Sequence, residues 1–199
     1  MNQTFLNNPE YVVVDNQKVK INTDFRVALK CQSIATDDSI NDIEKTLTII
    51  YLLFGEEGLN GNIEEYANKA VKFLSCGREF VNQPEEEPYF DYEQDWGYIK
   101  ASFMSDYGID LDNAKMHLWT FYDLLNGLTK ESKLSQVMSI RLEPLEGKKG
   151  KEREALIEAK KSVELKHKKT AQEEELDRKW VEMLRKWLNG NKWCFKDNN

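Results

Sequence analysis

Histidine is nearly absent: His117 and His167 are the only two in the chain, and neither has a Cys or Asp at metal-ligand spacing. Three cysteines, Cys31, Cys76 and Cys194, stand far apart without a CxxC pair, which fits reduced thiols in a cytosolic protein rather than a disulfide framework. Four prolines and ten glycines in 199 residues argue against a β-sandwich or a low-complexity chain. No apolar run reaches the roughly 18 residues a membrane span needs. The N-terminus lacks a basic region followed by an apolar core, so no signal peptide is expected. Gly147 and Gly150 have no Gly-Lys-Ser/Thr continuation, and no Gly-x-Ser-x-Gly occurs, so phosphate-loop and nucleophile-elbow chemistry have no foothold. No catalytic, cofactor-binding or metal-binding residue is assigned, and no enzyme is expected.

What the chain has instead is charge and aromatic rings. Hydrophobic residues at 40% suffice for a core, whereas 32% charged residues and a mean hydropathy of −0.68 point to long solvent-facing helices. The net charge of −7 disfavours nucleic acid as a partner, and nothing suggests a membrane. Residues 148–186 hold 13 Lys and Arg against 9 Asp and Glu, a mildly basic arm on an acidic body. Such asymmetry supports contact between subunits, so a homo-oligomer stays open.

Periodicity predicts a mainly α fold: an N-terminal β-hairpin, then a helical bundle of about six helices including a long C-terminal helix. Residues 1–9 read as a flexible N-terminus, 10–144 as hairpin plus helical body, and 145–199 as a long charged helix with a Trp-rich end. Tyr11–Val14 and Lys18–Ile21 flank the turn formers Asp15-Asn16-Gln17. Thr23 or Asp24 caps a helix running to about Ile34. Asp37-Asp38-Ser39 begins the next, whose Ile40, Ile43, Leu47, Ile50 and Phe54 form a packed face. Gly55 and Gly58–Gly61 form a loop, Asn62 caps a helix ending at Gly77, and Asn82–Pro88 is an acidic linker.

The region from Pro88 to Arg141 carries much of the aromatic content and marks the core. Tyr92, Trp96, Ile99, Phe103 and Tyr107 share one face of a helix that begins near Pro88 and ends at a left-handed Gly108, with Ile109 making the accompanying contact. Asp112 or Asn113 caps a second helix, Met116 to Leu125, apolar nearly all round and therefore expected to be deeply buried. Asn126-Gly127 stops it, and Thr129 starts a third. Trp96, Phe103, Trp119, Tyr122 and Leu125 are expected to pack together. One helix is expected from about Glu152 to Leu188, thinly apolar at Leu156, Ala159 and Val163.

Several side chains are candidates for chemistry. Asp91, Glu93 and Asp95 alternate along a helix, so they cannot converge on one ion and read as a solvated face. Asp106, Asp110 and Asp112 lack the spacing of a calcium loop and read as caps and turns. His117 reads as a core residue with one hydrogen bond. Lys148, Lys149 and Lys151 could touch phosphate, but Glu152 and Glu154 follow at once, so a solvated helix start is the plainer reading. Trp180, Met183, Leu184, Trp187 and Trp193 follow a stretch almost without apolar residues. They either fold back onto the body or dock on another protein, and are the candidate protein-binding residues.

INTDFRVAL after the hairpin, YFDYEQDWGYIKASFMSDYGIDL, HLWTFYDLLNGL and LSQVMSIR resemble the "gene product fifteen" family of long-tailed phages and prophages of Gram-positive bacteria, over roughly residues 10–165. The resemblance implies no enzymatic activity. Genes of that family usually sit between those of the major tail protein and the tape-measure protein. That neighbourhood implies a tail assembly chaperone in the host cytoplasm, with the tape-measure protein or other tail assembly proteins as partners. A structural virion subunit at the head–tail junction or tail terminus is the alternative.

Overall fold

The computed structural model describes residues 8–78 and 89–166. The chain divides into two units, Met1–Lys166 and His167–Asn199, and every described residue belongs to the first. The architecture is mainly helical, with an N-terminal antiparallel hairpin and eight helices among the described residues.

The hairpin follows from its turn. Asp15 and Asn16 take φ of 46° and 62°, the left-handed pair that a two-residue loop between right-twisting strands requires. Strands β1 (Tyr11–Val14) and β2 (Gln17–Lys20) then pair Tyr11 with Lys20 and Val14 with Gln17. Val14 and Val19 enter the core while Tyr11 and Val13 face outward, and the Lys18 ammonium lies 4.1 Å from the Tyr11 ring centroid. A lone hairpin is marginal in water; this one is anchored by the Asp15 N–H on Glu65 (3.3 Å) and the Asn22 N–H on the Leu53 carbonyl (2.8 Å).

Helix α1 (Phe25–Ala35) is capped by Asp24, whose carboxylate accepts the Arg26 N–H at 2.9 Å. α2 (Asp42–Phe54) starts later than expected, at the cap Asn41, because Asp37 spends its carboxylate on the N–H and hydroxyl of Ser39 in a turn of its own. The expected loop after Gly55 is a short helix, α3 (Glu56–Asn60). It lies so close to α2 that a Cβ on Gly58 would stand 2.6 Å from Ile50 Cγ2, so only glycine fits there. Asn62 caps α4 (Ile63–Leu74) as its sequence position suggests.

α5 runs Trp96–Tyr107, well after Pro88. Residues 92–95 form a turn in which Asp91 accepts the N–H groups of Glu93 and Gln94 at 3.0 and 2.8 Å. Its end is as expected: Gly108 has φ 68°, and the Ile109 N–H reaches the Phe103 carbonyl at 3.2 Å. α6 (Leu118–Asn126) begins at neither Asp112 nor Asn113, which close a turn on Asp110 (3.0 and 2.7 Å); its cap is His117. α7 (Lys133–Leu142) is capped by Ser132, since Thr129 donates both its N–H and hydroxyl to Asp106 instead.

α8 (Gly150–Ser162) packs on α7 and stops at Ser162, so a helix continuous from Glu152 onward does not form. Tertiary partners take the backbone groups it would need. The Val163 carbonyl accepts from Arg141 Nε at 2.6 Å, and the Gln94 amide holds both the N–H and the C=O of Lys166, at 2.7 and 2.9 Å. The rest of that expected helix, and the expected linker at 82–88, lie outside the described residues.

Phe121 stacks on Phe25 (centroids 4.7 Å, 11°) and on Phe103 (5.3 Å, 16°), and all three rings are fully buried. Of the five residues expected to form the centre, Phe103 does so, while Trp96, Trp119, Tyr122 and Leu125 line its flanks half-buried. α6 is likewise not buried all round: only Leu118 and Phe121 are fully enclosed.

Candidate protein-docking surface

The residues expected to bind protein, Trp180, Met183, Leu184, Trp187 and Trp193, lie outside the described residues. Among the described residues, the polar side chains most enclosed by the fold serve its architecture. Asp95, expected on a solvated face, is instead wholly buried, and both its oxygens accept from Arg141 at 2.7 and 2.8 Å. Arg141 also binds the carbonyls of Tyr89 and Val163. One guanidinium therefore ties the approach to α5, the end of α7 and the segment after α8. No sequence signal separates Asp95 from Asp91 and Glu93, because an acid two residues from another acid looks the same whether or not a distant arginine reaches it.

His117 does more than fill space. Its Nδ1 accepts the Trp119 N–H at 3.0 Å, which leaves the ring proton on Nε2 to donate to the Pro9 carbonyl at 3.0 Å. Asn8 adds a bond to Thr120 at 2.9 Å. Gln32 donates to the Tyr122 hydroxyl, which pairs with that of Tyr92, and burial pushes both phenols up. Burial likewise pushes the Cys76 thiol up to about 11 and Cys31 to about 12, so both are protonated at neutral pH and weak nucleophiles. Lys148 sits between Glu143 and Glu152, 2.8 Å from each, which raises its pKa and occupies its ammonium. Among the described residues no three His, Cys, Asp or Glu are grouped to hold a metal ion, and no helix is long and apolar enough to cross a membrane.

What the fold leaves uncovered on α2 is apolar. Ile43, Leu47 and Tyr51 on α2 are 74%, 37% and 50% exposed, although Ile43 and Leu47 were expected, with Ile40, Ile50 and Phe54, on one packed face. Ile50, Leu53 and Phe54 are buried as a core-facing helix requires; Ile50 and Phe54 lie about 20° either side of Ile43 but two and three turns further along, so Ile43 is exposed by its place at the start of α2. Ile49, Ile50, Leu53 and Phe54 centre about 50° round the helix from Ile43, while Leu47 and Tyr51 lie about 40° and 80° round it on the other side. Eight of the 13 residues of α2 are apolar, more than one contact face accommodates. That excess was the readable signal of a second, outward face. Scattered exposed apolar side chains need no explanation; three in line, one helical turn apart, are a surface suited to another protein.

Residues 7–165 match the family model described as Bacteriophage Gp15 protein. The chain belongs to the bacteriophage Gp15 family. No curated protein and no solved structure matches it. The matched residues run from β1 through α8, so the α2 surface and the Asp95–Arg141 pair lie within the family region, whereas the five expected tryptophan-segment contacts lie beyond it. Membership makes this Gp15-family chain a phage structural or morphogenesis protein.

Proposed function

We propose that this Gp15-family protein is a tail assembly chaperone: a non-catalytic protein of the host cytoplasm that coats the tape-measure protein and keeps it soluble until tail-tube subunits polymerise around it. The observation that carries this reading is the outward face of α2, where Ile43, Leu47 and Tyr51 stay in water on an otherwise well-packed helix. A protein whose task is to hold an apolar helical client must keep such a face unpartnered until the client arrives. The acidic charge of −7 favours solubility of the loaded complex and disfavours nucleic acid as the client. The gene neighbourhood implied by the family resemblance supports the tape-measure protein as that client.

Co-expression with the neighbouring tape-measure protein, followed by pull-down and mass spectrometry of purified virions, tests it. A chaperone co-purifies with the tape-measure protein and is absent from virions. Stoichiometric presence in mature particles overturns this reading in favour of a structural subunit at the head–tail junction or tail terminus.

A further inference from the structure

The charge close in sequence to the α2 face is almost all of one sign. Between residues 37 and 60 stand six acids, Asp37, Asp38, Asp42, Glu44, Glu56 and Glu57, and a single cation, Lys45. At 100° per residue, Leu47 and Tyr51 lie about 40° and 80° round α2 from Ile43, and Glu44 at about 100° borders the stripe directly. Lys45, half-buried, lies about 200° round and so faces away from the stripe. Helix dipoles account for acids in the first turns of α2 and α3, but they equally favour cations in the last turns, and neither helix has one there. This stretch is therefore more acidic than helix stability asks.

That charge restricts what can cover the face. A second copy docking through the same face in a two-fold contact would set these acids against themselves. An apolar helix flanked by acids would meet the same repulsion. We infer that the Ile43–Leu47–Tyr51 face of α2 seats an amphipathic helix of another protein whose apolar stripe is flanked by Lys and Arg. Aliphatic side chains of that helix would cover Ile43 and Leu47, its cations would stand over Glu44 at the edge, and Tyr51 offers a flat ring at the end of the stripe. The inference deepens the chaperone reading, on which it rests, by naming the chemistry of the client segment.

Titration calorimetry of the full-length protein separates the outcomes, with two synthetic helical peptides carrying the same leucine stripe, one flanked by lysines and its twin by glutamates. The lysine-flanked peptide is expected to bind at least about tenfold tighter than its twin. Glu44→Lys with Glu56→Lys should erase that preference, and Ile43→Asp should remove binding. Because Ile43 is 74% exposed, Ile43→Asp should melt with wild type, which circular dichroism checks. Equal binding of the twins, binding that survives Ile43→Asp, no binding of either peptide, or a dimer of the free protein that Ile43→Asp dissociates would each overturn the inference. Co-purification with the tape-measure protein alongside any of these leaves the chaperone reading standing, while peptide binding without such co-purification sinks that reading alone.

Discussion

Asp95 and Arg141, 46 residues apart, meet in a two-pronged ion pair with the acid entirely out of water. Taking both charges from water offsets much of their attraction, so the intact pair is weak evidence of stability, but leaving one charge alone is costly. Asp95→Ala strands the Arg141 guanidinium among the Tyr89 and Val163 carbonyls and should cost roughly 3–5 kcal/mol. Asp95→Leu with Arg141→Met should recover a large part of that loss. Urea denaturation of the three proteins checks it, and a double variant less stable than Asp95→Ala would contradict it.

The ring stack predicts an order of losses. Phe121 is fully enclosed between Phe25 and Phe103, so Phe121→Ala should cost roughly 3–5 kcal/mol. Trp119 is half-buried against Phe73, to whose carbonyl its indole N–H donates at 3.0 Å, so Trp119→Ala should cost less despite removing more atoms. Chemical denaturation that places Trp119→Ala above Phe121→Ala would move the centre of the core.

Gly58→Ala should destabilise by about 1–3 kcal/mol through overpacking. The new methyl would meet Ile50 Cγ2 at 2.6 Å and Phe54 Cβ at 2.9 Å, and neither neighbour is the end of a long flexible chain. A thermal melt indistinguishable from wild type would show that α3 can shift off α2 freely.

Asp106 carries a pH dependence. Its carboxylate accepts the Thr129 N–H and hydroxyl at 2.8 and 2.9 Å, and these bonds, the N–H first, hold its pKa below the usual carboxylate range. A depressed acid contributes stability that is present above its unfolded pKa and lost as pH falls through the folded one. Asp106→Asn should therefore melt below wild type at neutral pH, and the gap should close as pH falls below about 4. A gap unchanged down to about pH 2 would contradict this role.

Local chemistry was legible where a residue's partner is its near neighbour. Asp15-Asn16 announces a hairpin because both tolerate positive φ, and Asp24, Asn62 and Gly108 sit where caps belong. It was not legible where two nearby partners compete. Asp37 looks like a helix start but closes a small turn first, Asp91 holds a turn ahead of α5, Asp112 and Asn113 close a turn on Asp110, and Thr129 is drawn to Asp106, so α2, α5, α6 and α7 all begin later than the pattern implies. Burial depends on distant packing: nothing near Asp95 foretells Arg141, and the periodicity of α2 cannot say which part of its wide apolar arc the body covers. The family resemblance was legible because its two longest blocks are α5 and α6 themselves, with their connections. The outward face of α2 was legible only as a surplus of apolar residues.

On the chaperone reading we propose, this face of α2 keeps an apolar client in solution. The most direct measurement is the soluble fraction of the tape-measure protein when co-expressed with wild type and with Ile43→Asp at equal levels. A soluble client is expected with wild type and a largely insoluble one with Ile43→Asp, the variant itself staying folded. A client equally soluble with both proteins, or equally insoluble with both, would contradict it.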